Sequence, residues 1–158
     1  MFLFSLKSLK SKLILLIAAV AAIVIVFSVI SNSEDAQKAK PTDGVMNFSA
    51  STEEERLKFI TQLGLTVERD PSGVKEIIIP EEFDDTYINY NELQKESGFD
   101  LEPYKGCTAK KWTYTVTNYP EYEESQSIKI NLLVYKGKII GGDICSVELD
   151  GFMKGLII

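Results

Sequence analysis

The sequence predicts an α+β domain that follows an N-terminal transmembrane helix. Three features predict it: an unbroken apolar run at residues 13–30, two later segments whose apolar residues recur at helical spacing, and a C-terminal third in which apolar and polar residues alternate. Apolar residues three or four apart form one face of a helix, whereas strict alternation forms one face of a strand. We therefore predict two helices packed on a mainly antiparallel sheet, which consists of a hairpin and a three-stranded meander.

The apolar run from Leu13 to Ile30 contains 18 residues, with no charge and one weakly polar residue, Ser28. As a helix it would be about 27 Å long, close to the thickness of the hydrocarbon core of a bilayer. Three lysines precede it and none follows it closely: Lys7, Lys10 and Lys12. This asymmetry predicts a single-pass protein of the cell membrane with a cytoplasmic N-terminus and an extracellular C-terminal domain. The alternatives are a buried core helix and a cleaved signal peptide, although the apolar core of a signal peptide usually spans only about 7 to 15 residues.

The chain is therefore predicted to have four parts. Residues 1–12 form a cytoplasmic basic flank, residues 13–30 the transmembrane helix, residues 31–50 a flexible linker and residues 51–158 an extracytoplasmic α+β domain. The linker has no apolar periodicity, and as a coil it would reach about 25 Å. The domain is therefore expected to lie outside the membrane and close to it.

Charge and residue usage exclude several functional classes. The chain has a net charge of −6 and residues 1–30 carry +3, so the remaining residues carry −9. A domain this acidic is not expected to bind nucleic acid. The chain has no histidine, which excludes Ser-His-Asp and Cys-His catalysis and histidine-containing zinc sites. No cofactor and no metal is predicted.

Two segments carry helix signals at both ends. The first helix is predicted over residues 51–63 and the second over residues 84–97, and each is followed by a glycine that ends it, Gly64 and Gly98. The first helix can begin with a capping box in either of two registers, Ser51 with Glu54 or Thr52 with Glu55. Both helices are amphipathic and are expected to pack on the sheet.

Five segments are predicted to be strands. Residues 65–69 and 74–79 are expected to form a hairpin, because Asp70-Pro71-Ser72-Gly73 between them has the pattern of a type I turn. Three further strands are predicted to form the meander, at residues 111–118, 127–135 and 138–149. The apolar phase of the last strand slips by one residue at Gly141-Gly142, which predicts a bulge.

Three segments resemble a known family. They read EEFDDTYINYNELQKESGFDLEPYKG at residues 81–106, VTNYP at 116–120 and NLLVYKGKIIGGDICSVELDGFMKG at 131–155. Over residues 52–155 the chain resembles domain-of-unknown-function family 4830. The resemblance implies a small bacterial protein with an N-terminal membrane segment and one ectodomain. It implies no activity and no functional residues.

The two cysteines, Cys107 and Cys145, are a candidate disulfide pair. An extracellular domain lies in an oxidising environment, which favours the bond. However, the two predicted strands flank a central one, so residues at the same level would be about 9.5 Å apart. A disulfide needs Cα atoms closer than about 7 Å. The oxidising environment favours the bond and the strand spacing opposes it, so the sequence leaves the pairing open.

A cluster of acidic residues raises the possibility of catalysis. Asp143, Glu148 and Asp150 lie late in the chain, and Glu92 would approach them if the second helix covers the sheet. A pair of carboxylates at a suitable distance hydrolyses glycosidic bonds. A small cell-wall hydrolase is therefore the enzymatic alternative, although spacing alone does not select a pair.

Four aromatic residues are the predicted binding residues: Trp112, Tyr114, Tyr119 and Tyr122. The first two share one face of a predicted strand, and the other two lie in the loop at residues 118–122. Tyrosine and tryptophan offer a large contact area at a small entropic cost. The alternative is that the tyrosines close the edge of the sheet.

The leading functional hypothesis is a non-enzymatic, membrane-anchored ectodomain that binds a protein, a peptide or a cell-wall component. Besides the hydrolase, a further alternative is a structural accessory subunit of a membrane complex, which would contact its partners through the membrane helix.

Overall fold

The computed structural model describes residues 46–123 and 125–156. The predicted flank, the transmembrane helix at 13–30 and most of the predicted linker lie outside the described residues. Within the described ranges no helix combines the length and apolar character that a membrane crossing requires.

The described chain forms two α-helices and one antiparallel sheet, which confirms the predicted α+β class. In chain order the elements are α1 (Glu53–Gln62), β1 (Gly73–Ile78), α2 (Asp85–Glu96), a 3-10 helix (Glu102–Tyr104), β2 (Thr108–Thr115), β3 (Ile128–Tyr135), β4 (Lys138–Ser146) and β5 (Met153–Gly155). The five strands lie in the sheet in their order along the chain, and each pairs antiparallel with the next.

Both helices begin and end as their sequences predict. The Thr52 hydroxyl accepts a hydrogen bond from the Glu55 N–H, and the Glu55 carboxylate accepts one from the Thr52 N–H, so the second of the two capping-box registers forms. Asp84 caps α2 with a single hydrogen bond, which its carboxylate accepts from the N–H of Tyr87. Gly64 and Gly98 follow the helices with positive φ, where glycine is favoured because it has no Cβ.

The predicted hairpin at residues 65–79 is wrong. β1 pairs with β2 instead, from Gly73 opposite Thr113 to Ile78 opposite Thr108. Val67 forms a single bridge to Val116, the residue that follows β2. The segments before and after the turn residues 70–72 therefore both pair along the same edge of the sheet, and the turn does not make them pair with each other. A turn motif specifies local geometry only, and a lone two-stranded hairpin is marginal in water, so pairing with the central sheet prevails.

The predicted meander is confirmed for β2, β3 and the first part of β4, although β2 begins and ends three residues earlier than predicted. Lys136 and Gly137, both with positive φ, form the tight turn between β3 and β4. The bulge lies where predicted: Leu133 pairs with Gly141 and Val134 with Ile139, which leaves one residue of β4 unopposed.

The last predicted strand is too long. β4 ends at Ser146, and the chain turns back to form β5, which the alternation did not indicate. As a result Val147 and Leu149, which continue the apolar alternation of the predicted strand, are exposed.

The sheet packs on both faces. On one face, here called the α1 face, buried side chains of the central strands contact Phe59 and Ile60 of α1; they include Tyr114, Ile130, Leu132 and Ile144. The opposite face, the α2 face, has a second core in which Leu133 and Ile140 lie beneath Tyr87 and Tyr90 of α2. Phe48 and Ala50, predicted to end the linker, pack into the first core, so the folded domain begins before residue 51.

Candidate binding site

A buried arginine lies over the one tryptophan of the chain. Arg56 extends from α1 to the α1 face of β2, where its guanidinium carbon lies 3.5 Å from the centre of the Trp112 ring. Its Nε donates to the Tyr114 hydroxyl at 3.0 Å, and its Nη1 donates to the Ala50 carbonyl at 3.2 Å. Arg56 is only 5% exposed. These contacts fix the guanidinium plane against the indole.

Arg56 has no acidic partner within the described ranges. The ion pairs found there join Arg69 to Glu53 and Lys95 to Glu92 and Glu102. Removing a charge from water is costly unless other groups compensate it. Here the compensation comes from two neutral oxygens and the π face of Trp112, which stabilises a cation electrostatically. The positive charge of Arg56 is therefore solvated by dipoles but not neutralised.

The guanidinium lines a cavity of about 390 Å³ on the α1 face, here called the Arg56 pocket. The lining residues are Ala50, Ser51, Arg56, Glu76, Thr108, Lys110, Trp112, Val134, Lys136 and Gly137. They include three cations and one carboxylate, whereas the chain as a whole has a net charge of −6. The Arg56 pocket is therefore a locally basic site on an acidic protein.

Local structure places each charged group at this pocket. Alternation along β2 directs Thr108, Lys110 and Trp112 to the same face of the sheet. The β3–β4 turn brings Lys136 to the rim. The segment before α1 is held beside that turn, because the Ala50 N–H donates to the Gly137 carbonyl at 2.8 Å.

The sequence contained a signal for Arg56 that the prediction missed. Arg56, Phe59, Ile60 and Leu63 have the spacing of one helix face, so a charged residue lies among residues that face the core. A charge at such a position requires a specific environment. Identifying that environment as Trp112 and Tyr114, more than fifty positions away, required the tertiary structure.

The structure separates the four predicted binding aromatics. Trp112 lines the Arg56 pocket, but Tyr114 is fully buried, so it offers no exposed surface for the binding role predicted for it. Tyr119 and Tyr122 pack on each other and on Phe152, with ring centres 5.5 to 6.2 Å apart. Both tyrosines are half-buried against the first core. They cover the edge of the core, whereas Trp112 lines the Arg56 pocket.

A row of polar side chains crosses the α2 face. The Thr113 hydroxyl donates to Asn131 Oδ1 at 2.7 Å, and Asn131 Nδ2 donates to Asp143 Oδ1 at 2.8 Å. The Tyr90 hydroxyl of α2 donates to the other oxygen of Asp143 at 2.9 Å. Burial, and after it the negative charge of Asp143, raises the pKa of the Tyr90 hydroxyl, which therefore remains a donor. Both carboxylate oxygens of Asp143 are thus hydrogen-bonded inside the protein.

The candidate catalytic carboxylates are not brought together. Asp143 is 3% exposed and bound within the polar row. Glu148 is exposed and accepts from the Ser125 hydroxyl, and Glu92 pairs with Lys95 at 3.1 Å. Asp150 lies in the exposed turn before β5. In the described ranges no three Cys, Asp or Glu side chains are placed to hold a metal ion.

The Cys107–Cys145 disulfide is absent, and both cysteines are free. Lys129 on β3 pairs with Thr115 on one side and with Cys145 on the other. Cys145 is therefore level with the C-terminal end of β2. Cys107 lies eight residues before Thr115. At the rise of a β-strand this separates the thiols by about 26 Å along the sheet. The antiparallel register therefore places them at opposite ends of the sheet, much further apart than the predicted meander implied.

Cys145 is expected to react with iodoacetamide severalfold more slowly in the folded protein than in urea. Burial is the main cause that raises the pKa of the Cys145 thiol, and the negative charge of Asp143 is the second. A raised pKa lowers the fraction of reactive thiolate at pH 8. The Cys107→Ser variant isolates this site, and mass spectrometry of the alkylated chain gives the rate. Equal rates in the folded and unfolded chains would contradict the burial of this thiol beside Asp143.

The fold and site define a small α+β domain, with a five-stranded antiparallel sheet between two helices and a basic pocket near the β1 edge. Residues 59–144 match the family described as Domain of unknown function (DUF4830). This match covers more than half of the 158 residues, so the chain belongs to this family, as its resemblance predicted. No significant match was found among curated proteins or among solved structures. Most of the pocket lies in the matched range, whereas Arg56 lies three residues before it.

Proposed function

We propose that the protein is a non-enzymatic, single-pass, membrane-anchored domain that binds a ligand outside the cell membrane in the Arg56 pocket. One observation carries the proposal: a buried guanidinium, which forms no ion pair within the described chain, is stacked on Trp112 and lines a cavity. Ligand sites are concave, and a few fixed polar groups in them determine orientation. The Arg56 pocket has this construction.

The location rests on the sequence. The apolar run at residues 13–30 is long enough to cross a bilayer, and the preceding lysines favour a cytoplasmic N-terminus. The polar composition of the segment that follows the run favours a tether of modest reach. The domain would then present the Arg56 pocket a short distance from the external face of the cell membrane, where it would meet proteins, peptides or wall components.

Binding is favoured over catalysis by the chemistry of the pocket. Its charged groups are an arginine, two lysines and one glutamate, which can hold a ligand. Hydrolysis of a glycosidic bond needs an acid and a base on opposite sides of the bond, and a single carboxylate in the pocket does not provide both. The chain also has no histidine to act as a general base near neutral pH.

Site-specific photo-crosslinking in the native membrane tests this proposal. A photoreactive amino acid replaces Thr108, an uncharged exposed residue at the pocket, in the full-length chain. The matched control carries the photoreactive amino acid at Lys75, which is exposed on β1. Lys75 lies opposite Lys111, which alternates with Lys110 and Trp112 along β2, so Lys75 points to the α2 face. We expect an adduct from position 108 and none from position 75. Proteinase added to intact protoplasts should remove the domain.

Two results would overturn the proposal. Equal labelling from both positions would show that the pocket has no selective partner. Resistance of the domain to external proteinase, combined with its recovery in the cytosol, would show that it does not lie outside the membrane. A chain without residues 13–30 serves as the cytosolic control.

A further inference from the structure

Building on the proposed function, we infer that the Arg56 pocket binds an oxyanion, a carboxylate or a phosphate group, carried on an apolar body. The inference rests on the free hydrogen-bond donors of Arg56, on the charge of the rim and on the apolar wall that Trp112 provides. These three features come from α1, from the sheet and from the β3–β4 turn.

Arg56 has donors left for a ligand. Its Nε and Nη1 are engaged by Tyr114 and Ala50, whereas its Nη2 has no hydrogen-bond partner within residues 46–123 and 125–156. In those ranges Gln94 Nε2 is the one fully buried side-chain nitrogen or oxygen without a partner, so Nη2 retains some solvent exposure, and Arg56 lines the pocket. A guanidinium edge of this kind binds carboxylate and phosphate oxygens with charge-assisted hydrogen bonds. Because the plane is already fixed by Trp112, little side-chain entropy is lost on binding.

The charge of the rim selects an anion. Lys110 and Lys136 are exposed at the pocket, and Glu76 is the acidic residue opposite Lys110 on the neighbouring strand. With Arg56 the lining has a net charge of +2. A cationic ligand would face three like charges, and a neutral ligand that displaced water would leave the buried guanidinium uncompensated. An anion compensates that charge and is also attracted by both lysines.

The remaining lining describes the body of the ligand. Trp112 and Val134 form an apolar wall beside the guanidinium. The volume of about 390 Å³ suits a group of a few ring or chain atoms. The Arg56 pocket therefore suits a ligand in which an anionic group is attached to an aromatic or aliphatic unit. Such a ligand is either a free small molecule or an exposed part of a larger molecule.

The single tryptophan provides a direct test. In the full-length chain in neutral phosphatidylcholine nanodiscs, ¹⁵N labelling of tryptophan gives one indole N–H resonance, which reports on Trp112 alone. The probes are benzoate, phenyl phosphate and benzamide, which share a ring and differ in charge. We expect at least one anion to shift the resonance saturably, with benzamide binding at least about tenfold more weakly, equivalent to about 1.4 kcal/mol.

Variants at the rim test the charge argument without disturbing the buried arginine. The double variant Lys110→Gln, Lys136→Asn should weaken anion binding at least about fivefold, and Glu76→Gln should tighten it, as expected for changes in pocket charge. Asparagine replaces Lys136 because it tolerates the positive φ at that position. Lys75→Gln, which removes a charge from the other face of β1, is the matched control and should change affinity less than about twofold.

The outcomes are distinct. Binding of benzoate alone assigns a carboxylate ligand, and binding of phenyl phosphate alone assigns a phosphate ligand. Equal binding of benzamide, absence of binding by both anions, or an equal effect of Lys75→Gln overturns the inference. If photo-crosslinking from position 108 succeeds while both anions fail to bind, the binding function stands and the ligand class is wrong. If anions bind but no adduct forms, the ligand class stands and the proposed cellular function is wrong.

Discussion

Replacing Gly142 with alanine is expected to lower the free energy of unfolding by about 3 kcal/mol, the upper range for overpacking a core. A Cβ at this position would lie 2.3 Å from the carbonyl oxygen of Asn131 on β3 and 2.8 Å from Cδ1 of Leu156. The first of these atoms belongs to the backbone, so it cannot move without displacing the strand. Gly142 pairs with Leu132 at the centre of the sheet, where both faces are packed.

The matched control for this substitution is Gly73→Ala. Gly73 also lies in a strand, but the nearest atom to its added Cβ is Cβ of Thr113, at an ordinary 3.9 Å. Gly73→Ala is expected to change the free energy of unfolding by no more than about 0.5 kcal/mol, as for surface substitutions in general. Urea titration of the full-length chain in detergent measures both variants, with Trp112 fluorescence reporting on the domain alone. Similar midpoints for the two variants would contradict the close approach of β3 and β4 at Gly142.

Replacing Arg56 with methionine is expected to lower the free energy of unfolding by about 2 to 3 kcal/mol, since buried polar groups lose their partner. Methionine keeps much of the side-chain volume and packs on Trp112, so the cost comes mainly from polar groups. The Tyr114 hydroxyl and the Ala50 carbonyl, both in buried residues, lose the donors that Arg56 supplies. The stacking on Trp112 also loses its electrostatic part.

Two further variants separate these causes. Arg69→Met is the exposed control, because the Arg69 side chain is 73% exposed and pairs with Glu53 on the surface, where ion pairs contribute about 1 kcal/mol or less. The double variant Arg56→Met, Tyr114→Phe should recover part of the loss, since removing both partners of a buried hydrogen bond costs less than removing one. The same urea titration measures all three. An Arg56→Met midpoint equal to that of Arg69→Met would contradict the buried role of the guanidinium.

The stability and binding roles of Arg56 are compatible. Its Nε and Nη1 hold β2 and the segment before α1 together, and its Nη2 remains for a ligand. A residue that already contributes to the fold is pre-organised, so an incoming anion does not have to order it. This dual use is the reason that the binding test alters the rim lysines and leaves Arg56 intact.

Features that depend on neighbouring residues were predictable from the sequence. The capping box at Thr52, the stop at Gly98 and the turn at Lys136-Gly137 all formed, because each involves hydrogen bonds and backbone angles within a few positions of the chain. The alternation of β2 and β3 also indicated strands correctly, and the phase slip at Gly141-Gly142 located the bulge. The sequence alone therefore determined the α+β class and most of the elements.

The tertiary structure decided which distant residues meet. β1 pairs with β2 although a good turn motif precedes it, because strand partners are selected by the whole sheet and not by the turn. The antiparallel register separates Cys107 from Cys145 and buries Asp143 beneath Tyr90, which removes both a disulfide and a catalytic pair. The Arg56 pocket combines residues from positions 50 to 137. Spacing along the chain does not encode such an arrangement, since it follows from how the strands align and how α1 packs across them.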